Sequence, residues 1–291
     1  MTHLRAAVRS GTAHLREAGI PSPEVDAVEL AAHVLGTPAA DIRRLMIVGG
    51  VLPATFEPAY AAVLAERARR VPLQHLTGRA HFRTLTLDVG PGVFVPRPET
   101  EVLVDLALAE VDRASGTGPS GIRLVDLCAG SGAIAFAIKQ ERPHVSVRSL
   151  ELSEHAVAWA AANRVRLGLD VEVVHGDATE PAFPDWQGTV DIVTVNPPYI
   201  PVGAMPLDPE VRDHDPELAL YGGSADGLAT PVAVARTAAG LLRPGGLLLM
   251  EHADSQGESL PAALGRAGRW EDVEDHRDLA DRPRVTSARR R

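Results

Sequence analysis

Ile122-Arg123-Leu124-Val125-Asp126-Leu127-Cys128-Ala129-Gly130-Ser131-Gly132 runs directly into the apolar stretch Ala133 to Gln140. The first six residues, mostly branched and apolar, have the pattern of a buried strand, and the stretch after the glycines suits a helix. Strand, glycine-rich turn and helix make the first βα unit of a doubly wound α/β sheet, and the small turn residues let a ligand approach the backbone closely. Taken alone, the unit is shared by dinucleotide and other nucleoside-cofactor folds, and a plain tight turn has the same look.

The chain downstream extends the unit into a series. Val145 to Leu150 is the next strand and ends in Glu151, 19 residues after Gly132. An acid at that strand end is placed to bind both hydroxyls of a ribose. Ser153 then caps a helix through about Leu167, and the third strand, Val171 to Val174, leads to His175-Gly176-Asp177. Asp177 could accept from an adenine amino group. Each acid alone reads as a solvated strand-end residue. Asp126, Glu151 and Asp177 at three successive strand ends form a less accidental set. No Gly-x-x-x-x-Gly-Lys-Ser/Thr loop is present and Lys139 is the only lysine, which argues against a triphosphate ligand.

The fourth strand, Val190-Asp191-Ile192-Val193-Thr194-Val195, breaks into Asn196-Pro197-Pro198-Tyr199. The prolines cannot continue a sheet, so these four residues form a stiff turn past the strand's carboxyl end, where open α/β sheets bind ligands. The side-chain oxygen of Asn196 and the carbonyl of Pro197 can accept both hydrogens of one planar NH2 group, with Tyr199 against its face. Two fixed acceptors favour a pyramidal nitrogen with its lone pair aimed at an electrophile, which suggests alkylation at nitrogen. A proline-rich surface turn is the bland alternative.

Residues 200 to 228, rich in Pro, Asp and Gly, read as a long loop, a lid or binding element. His214 within it, between two acids, reads as part of a surface charge cluster rather than a general base. A helix from Pro231 to Leu242, a turn at Pro244-Gly245-Gly246 and a strand Leu247 to Glu251 follow. Then come a helical stretch 255 to 268, a strand near Val273, a final strand Arg284 to Arg289 and a frayed basic tail to Arg291.

Upstream, residues 1 to about 70 read as helices. Ser22-Pro23 opens one, with Val25, Val28, Ala32 and Leu35 on a common face and Gly36 as its stop, and a second amphipathic run spans Glu57 to Arg70. Phe82 to Val89 alternates as a β-hairpin between turns at Gly78 and Gly90-Pro91-Gly92. Val95-Pro96-Arg97-Pro98-Glu99-Thr100-Glu101 leads into a helix to about Val111, and Ser115 to Gly121 is a Gly/Ser/Pro loop. The expected division is residues 1–72 as a helical substrate-recognition domain, 73–97 as a hairpin linker and 98–291 as the catalytic domain.

Length, 45% apolar and 23% charged residues describe an ordinary globular chain with no membrane-spanning run and no signal sequence, expected in the cytoplasm as a monomer. Cys128 is the single cysteine, so no internal disulfide is possible, and no Cys/His cluster has metal-ligand spacing. The net charge of −9 and 11 aromatic residues count against a phosphate-tracking nucleic-acid surface.

Five stretches carry a family likeness: Arg70-Val71-Pro72-Leu73-Gln74-His75-Leu76-Thr77-Gly78, Phe94 to Glu101, Asp126 to Gly132, Asn196-Pro197-Pro198-Tyr199-Ile200 and Arg284-Val285-Thr286. With them the sequence resembles the class I S-adenosylmethionine-dependent methyltransferases, and among these the protein-(glutamine-N5) methyltransferases of class-1 peptide chain release factors. The resemblance implies a Rossmann-like class I methyltransferase sheet joined by a β-hairpin to a small N-terminal helical domain that binds the release factor. It implies S-adenosyl-L-methionine as cofactor, with Asp126, Cys128, Ala129, Gly130, Ser131 and Gly132 at its methionine part, Glu151 at the ribose, Asp177 at the adenine and Asn196 adjoining. Asn196, Pro197 and Tyr199 would be catalytic, gripping the glutamine amide of a Gly-Gly-Gln loop for in-line displacement at the methyl carbon, with Pro198 and Arg97 also at the substrate. Many members have Gly-Thr where this chain has Cys128-Ala129. A relative that methylates a ribosomal protein uses the same motifs, a nucleic-acid amino methyltransferase would use the same clamp, and an inert nucleoside-binding module would leave the clamp without a purpose.

Overall fold

A computed structural model describes residues 4–49, 51–114 and 121–291, so all of the loop expected over Ser115 to Gly121 except Gly121 lies outside the described residues. In chain order the helices are α1 (Leu4–Glu17), α2 (Pro23–Leu35), α3 (Ala39–Val48), α4 (Phe56–Ala68), α5 (Leu73–Thr77), α6 (Glu101–Ala114), α7 (Ala133–Glu141), α8 (Glu154–Leu167), α9 (Pro209–His214), α10 (Ala229–Leu241) and α11 (Ser259–Arg266). The strands are β1 (Arg79–Phe82), β2 (Leu85–Asp88), β3 (Arg123–Leu127), β4 (Ser146–Glu151), β5 (Val171–His175), β6 (Val190–Val195), β7 (Leu242–Glu251), β8 (Trp270–Arg277) and β9 (Pro283–Arg290). Two units divide them. One holds the residues up to Arg79 together with Leu207–His214, and the other Ala80–Pro206 with Asp215–Arg291. No helix among the described residues is long and apolar enough to cross a membrane.

In the first unit, α2 starts after Ser22 with Pro23 in its first turn and stops at Gly36, whose φ of 62° suits glycine. Of the expected face, Val28 and Ala32 are buried and Leu35 is half-buried, but Val25 is 50% exposed, and Asp26, Ala27, Leu30 and Ala31 are buried as well. The buried face extends to Asp26 because Asp26 has a charge partner. Arg67 Nε of α4 donates to Asp26 Oδ2 at 2.7 Å, and Nη2 of the same guanidinium donates to Glu210 Oε1 at 2.7 Å. With Arg67 only 4% exposed, each charge is held by its opposites, without which its burial would be prohibitive. Glu210 belongs to α9, so the 200–228 stretch is not the uninterrupted loop expected; it also contains a 3-10 turn, Glu217–Ala219. His214 ends α9 beside the exposed Arg212–Asp213 pair, in keeping with a surface charge cluster.

The second unit is built on a seven-stranded sheet of order β5-β4-β3-β6-β7-β9-β8. The five strands from β5 to β7 are parallel, and β9 runs antiparallel to both β7 and β8. Between β3 and β6 the winding direction reverses, which opens a crevice at the strands' carboxyl ends. Side chains alternate across the sheet as the strand period of two requires. Leu124, Ile192 and Leu249 face a core with α6 and α7, whereas Val125, Val193 and Leu248 face one with α10 and α11. The β1–β2 hairpin contributes Phe82, Leu85 and Leu87 to the first of these cores, and Asn163 of α8 bonds both the N–H and the carbonyl of Asp88 at 2.7 and 2.9 Å.

Two boundaries differ from expectation. The strand β7 begins at Leu242, five residues before Leu247, and passes through Pro244-Gly245-Gly246 without leaving the sheet. Its register against β6 jumps between the Val190↔Leu242 and Ile192↔Leu247 pairs, so a bulge with Gly245 at φ 74° absorbs the turn residues. The terminal arginines are not a frayed tail. Arg289 donates to both carboxylate oxygens of Glu110, Arg290 to the carbonyl of Ala239 and Arg291 to that of Trp270.

Ser153 is the N-cap of α8, its hydroxyl accepting from the Ala156 N–H at 3.3 Å. Ser153→Ala is expected to cost about 1 kcal/mol, the ordinary value for losing such a cap, in a urea unfolding experiment. A change below a few tenths would show that the helix start is held by other contacts.

Candidate active site

The loops that follow β3, β4, β5 and β6 converge on a cavity of about 320 Å³ at the switch point. Cys128 to Ser131, Glu151, Asp177, Asn196 and Pro198 are all on its wall, so eight residues singled out from four separate strand ends come together. Asp126, Gly132, Pro197, Tyr199 and Arg97, also singled out from the sequence, do not line it. Sequence reasoning missed Thr100, Leu218 and Tyr221, which also line it. The pair Tyr221-Gly222 was the one available signal, since a glycine beside an aromatic in a long loop marks a close backbone approach. A Cβ on Gly222 would lie 1.9 Å from the Gly227 carbonyl.

Each wall segment has a local cause. Cys128, Gly130 and Gly132 have φ of 60°, 56° and 87°, so the turn after β3 winds through the left-handed region. Cys128 is the one residue of the three with a Cβ to crowd there. Gly132 precedes α7, and a Cβ on it would come within 2.2 Å of the Phe136 ring, so it is small for packing. The turn is tied to the next strand end: Gly130 N–H donates to Glu151 Oε2 and Ser153 N–H to Oε1, both at 2.8 Å. Those two bonds orient the Glu151 carboxylate and leave lone pairs for a diol. Asp177 is exposed and caps its own turn, with Oδ1 accepting from the Thr179 N–H and hydroxyl at 2.8 and 2.7 Å.

Asp126 is fully buried and accepts from the Thr194 hydroxyl at 2.7 Å, its neighbour in the β3–β6 register. Burial pushes its carboxyl up to about 7, against the Thr194 bond and helped by the nearby Glu151 charge. Glu251, at the end of β7 and 2% exposed, is likewise pushed up to about 7 by burial. It lies under Tyr199, whose hydroxyl donates to Glu251 Oε1 at 3.4 Å; burial raises that phenol. Arg97 lies 5.0 Å over the Phe94 ring and donates to the buried Asp215 at 2.7 Å. Because Phe94 and Pro216 line the cavity, Arg97 shapes the mouth through its neighbours.

Burial also raises the Cys128 thiol, as do the charges of Glu151, Asp126 and Asp177 in that order, so it stays protonated and is no nucleophile. Iodoacetamide at pH 8 is expected to alkylate this single cysteine at least ~10-fold more slowly than free cysteine, followed by intact mass. Rapid stoichiometric labelling would place an activating cation beside the sulfur.

The sequence has matches among known proteins. Residues 6–78 match the family described as PrmC N-terminal domain, and residues 101–205 the one described as methyltransferase small domain. A protein of Streptomyces coelicolor named release factor glutamine methyltransferase is 47% identical over 291 residues, all of this chain and 99% of its own length. A Mycolicibacterium smegmatis protein of the same name is 45% identical over all of this chain and 99% of its own. At 39% identity over 92% of this chain and 89% of its own stands a Streptomyces pristinaespiralis protein named 4-amino-L-phenylalanine/4-methylamino-L-phenylalanine methyltransferase. A solved methyltransferase structure from Pyrococcus furiosus covers 80% of this chain and 98% of its own with a TM-score of 0.50 and 17% identity, a likeness of fold. The sheet and its flanking helices are the Rossmann-like class I methyltransferase fold, and by its sequence along the whole length this chain belongs to the release factor glutamine methyltransferase family.

Proposed function

We propose that this chain transfers a methyl group from S-adenosylmethionine to the side-chain amide nitrogen of the glutamine in the Gly-Gly-Gln motif of class-1 peptide chain release factors. The observation that carries the reading is Asn196 on the same cavity wall as Glu151 and Asp177. An amide acceptor and the acids suited to a nucleoside then serve one small space. The donor set fits the cofactor: a glycine-rich turn for close backbone approach, Glu151 for the ribose hydroxyls, Asp177 for the adenine edge, and carboxylates near a cationic centre. When bound, it supplies an electrophilic methyl carbon on a sulfonium.

The chain's own residues do the rest by positioning. Asn196 Oδ1 and the Pro197 carbonyl accept the two amide hydrogens and favour a pyramidal nitrogen, and the Tyr199 ring backs the clamp. The nitrogen becomes acidic on alkylation and gives its surplus proton to water, so no dedicated base is assigned. The relative named for an aromatic amine supports the clamp reading, because an aryl NH2 shares with an amide a lone pair delocalised into a π system. The helical unit, residues 1–72 with the hairpin 73–97 beyond it, presents the release factor to the catalytic residues 98–291, and one chain in the cytoplasm suffices. All of the cavity wall comes from the second unit of a single chain.

Purified release factor and, separately, ribosomes incubated with labelled cofactor test this reading. Methyl recovered on the Gly-Gly-Gln glutamine by peptide mass spectrometry is the expected result. Methyl on a ribosomal protein alone would overturn the partner, and transfer to nucleic acid alone would overturn the substrate class.

A further inference from the structure

The clamp strand needs something to hold it, since its two prolines cannot bond it into the sheet as donors. Gln256 supplies the hold. It ends the 3-10 turn Asp254–Gln256 that follows β7, is 4% exposed, and does not line the cavity. Its Nε2 donates to the carbonyl of Tyr199 at 2.9 Å and to the carbonyl of Asp226 at 2.9 Å, and its Oε1 accepts from the Ala253 N–H at 3.0 Å. Both amide hydrogens are therefore used on two backbones that diverge from one point. The Tyr199 carbonyl closes Asn196-Pro197-Pro198-Tyr199. The Asp226 carbonyl precedes Gly227-Leu228 and α10, which brings Thr230 and Val234 to the cavity wall.

The same junction is packed to the limit by backbone. A Cβ on Gly227, whose φ is 73°, would lie 2.1 Å from the Tyr199 carbonyl and 2.9 Å from Gln256 Nε2. Ile200 and Gly222 exchange ladder bonds with the loop between them: Ile200 N–H to the Leu220 carbonyl at 2.8 Å, and Gly222 N–H to the Ile200 carbonyl at 2.9 Å. Only glutamine meets the geometry of the junction. Glutamate has no donor at either oxygen, asparagine is a methylene short, and an apolar side chain leaves the two carbonyls and the N–H without this partner.

We infer that Gln256 is a positioning residue for methyl transfer, a buried amide staple that sets the distance of the Asn196–Pro197 clamp from the α10 side of the cavity. The inference rests on the proposed methyl transfer, and the experiment separates the two. Wild-type chain, Gln256→Met, Gln256→Glu and Gly227→Ala are compared for kcat, release-factor KM and cofactor Kd, the last by calorimetry without substrate. A core variant that does not line the cavity, Leu264→Ala, serves as the control for lost stability.

Displacement of a reacting group by ~1 Å costs about 100-fold, so kcat should fall ~10- to 100-fold in both Gln256 variants and in Gly227→Ala. KM and cofactor Kd should stay within about threefold, the signature of an interaction that matters in the transition state alone. Glutamate should be the worse of the pair, because it sets a carboxylate oxygen against two carbonyls. Leu264→Ala should melt lower and keep its kcat. A kcat within threefold of wild type in a folded Gln256 variant would overturn the inference, as would a loss that Leu264→Ala reproduces at equal stability. Collapse of the whole fold in both Gln256 variants would also overturn it, in favour of a plain structural role. Failure of wild-type chain itself to methylate release factor would instead sink the proposed function.

Discussion

Asn196→Ala is expected to lower kcat for release-factor methylation by about 1,000-fold, with cofactor Kd within about tenfold of wild type, the pattern for loss of one fixed polar partner of the reacting group. The size follows from what the clamp supplies. An amide nitrogen attacks poorly because its lone pair is delocalised, and the cost of breaking that conjugation is met by two acceptors already in place. Asn196 is one of them and lies on the cavity wall, half-buried, with no side chain able to replace it from Pro197 or Pro198. Removing one pre-oriented partner at a developing charge costs about 3–4 kcal/mol, whereas the proposed cofactor contacts, through Glu151, Asp177 and the turn at Cys128 to Ser131, are untouched. Steady-state kinetics with release factor, set beside calorimetry for the cofactor, reads the two effects apart. A kcat within tenfold of wild type would mean that the Pro197 carbonyl or a water performs the work assigned to Asn196.

The sheet was legible because its signals are local. Each of β3 to β6 is a short apolar run ending in a polar or glycine-rich break, and Ser153 and Gly36 mark helix ends by their own chemistry. What escaped was set by partners distant in sequence. Val25 looked like a core residue until Arg67, 41 positions after Asp26, turned that face of α2 inward at Asp26. The final arginines looked like a tail because nothing near them signals Glu110, which lies 179 residues from Arg289. The same limit divided the site. Asn196, Glu151 and Asp177 stand at strand ends, where the fold rule alone predicts ligand contact. Tyr221 and Gln256 lie in loops whose course depends on backbone crowding at Gly222 and Gly227, which the Tyr221-Gly222 pair alone signals and nothing near Gln256 announces.

Asp126→Asn should gain stability against wild type as pH rises, by up to about 4 kcal/mol between pH 3 and pH 8. Burial holds the carboxyl at about 7 in the fold, well above the ordinary aspartate value of 3.8, and each tenfold change in proton affinity corresponds to about 1.36 kcal/mol. Because the folded value lies above the unfolded one, the native state binds more protons between these pH values. Burial therefore costs nothing below about pH 4, and the cost grows as pH climbs toward 7 and then levels off. Asparagine keeps an oxygen for the Thr194 hydroxyl but cannot ionise, so whatever it costs in packing is the same at every pH. The comparison is a double difference, urea unfolding of both chains at pH 3 and at pH 8, which cancels the titrating groups that do not interact with Asp126, Glu251 included. A pH-independent difference would mean that Asp126 ionises as it does in water and that its buried site is better solvated than the packing around β3 implies. On the proposed reading, in which Asp126 serves the sulfonium cofactor, the stability lost to the buried carboxylate is regained when the cation binds. The asparagine variant should accordingly be the more stable protein at pH 8 and the weaker binder of the sulfonium cofactor.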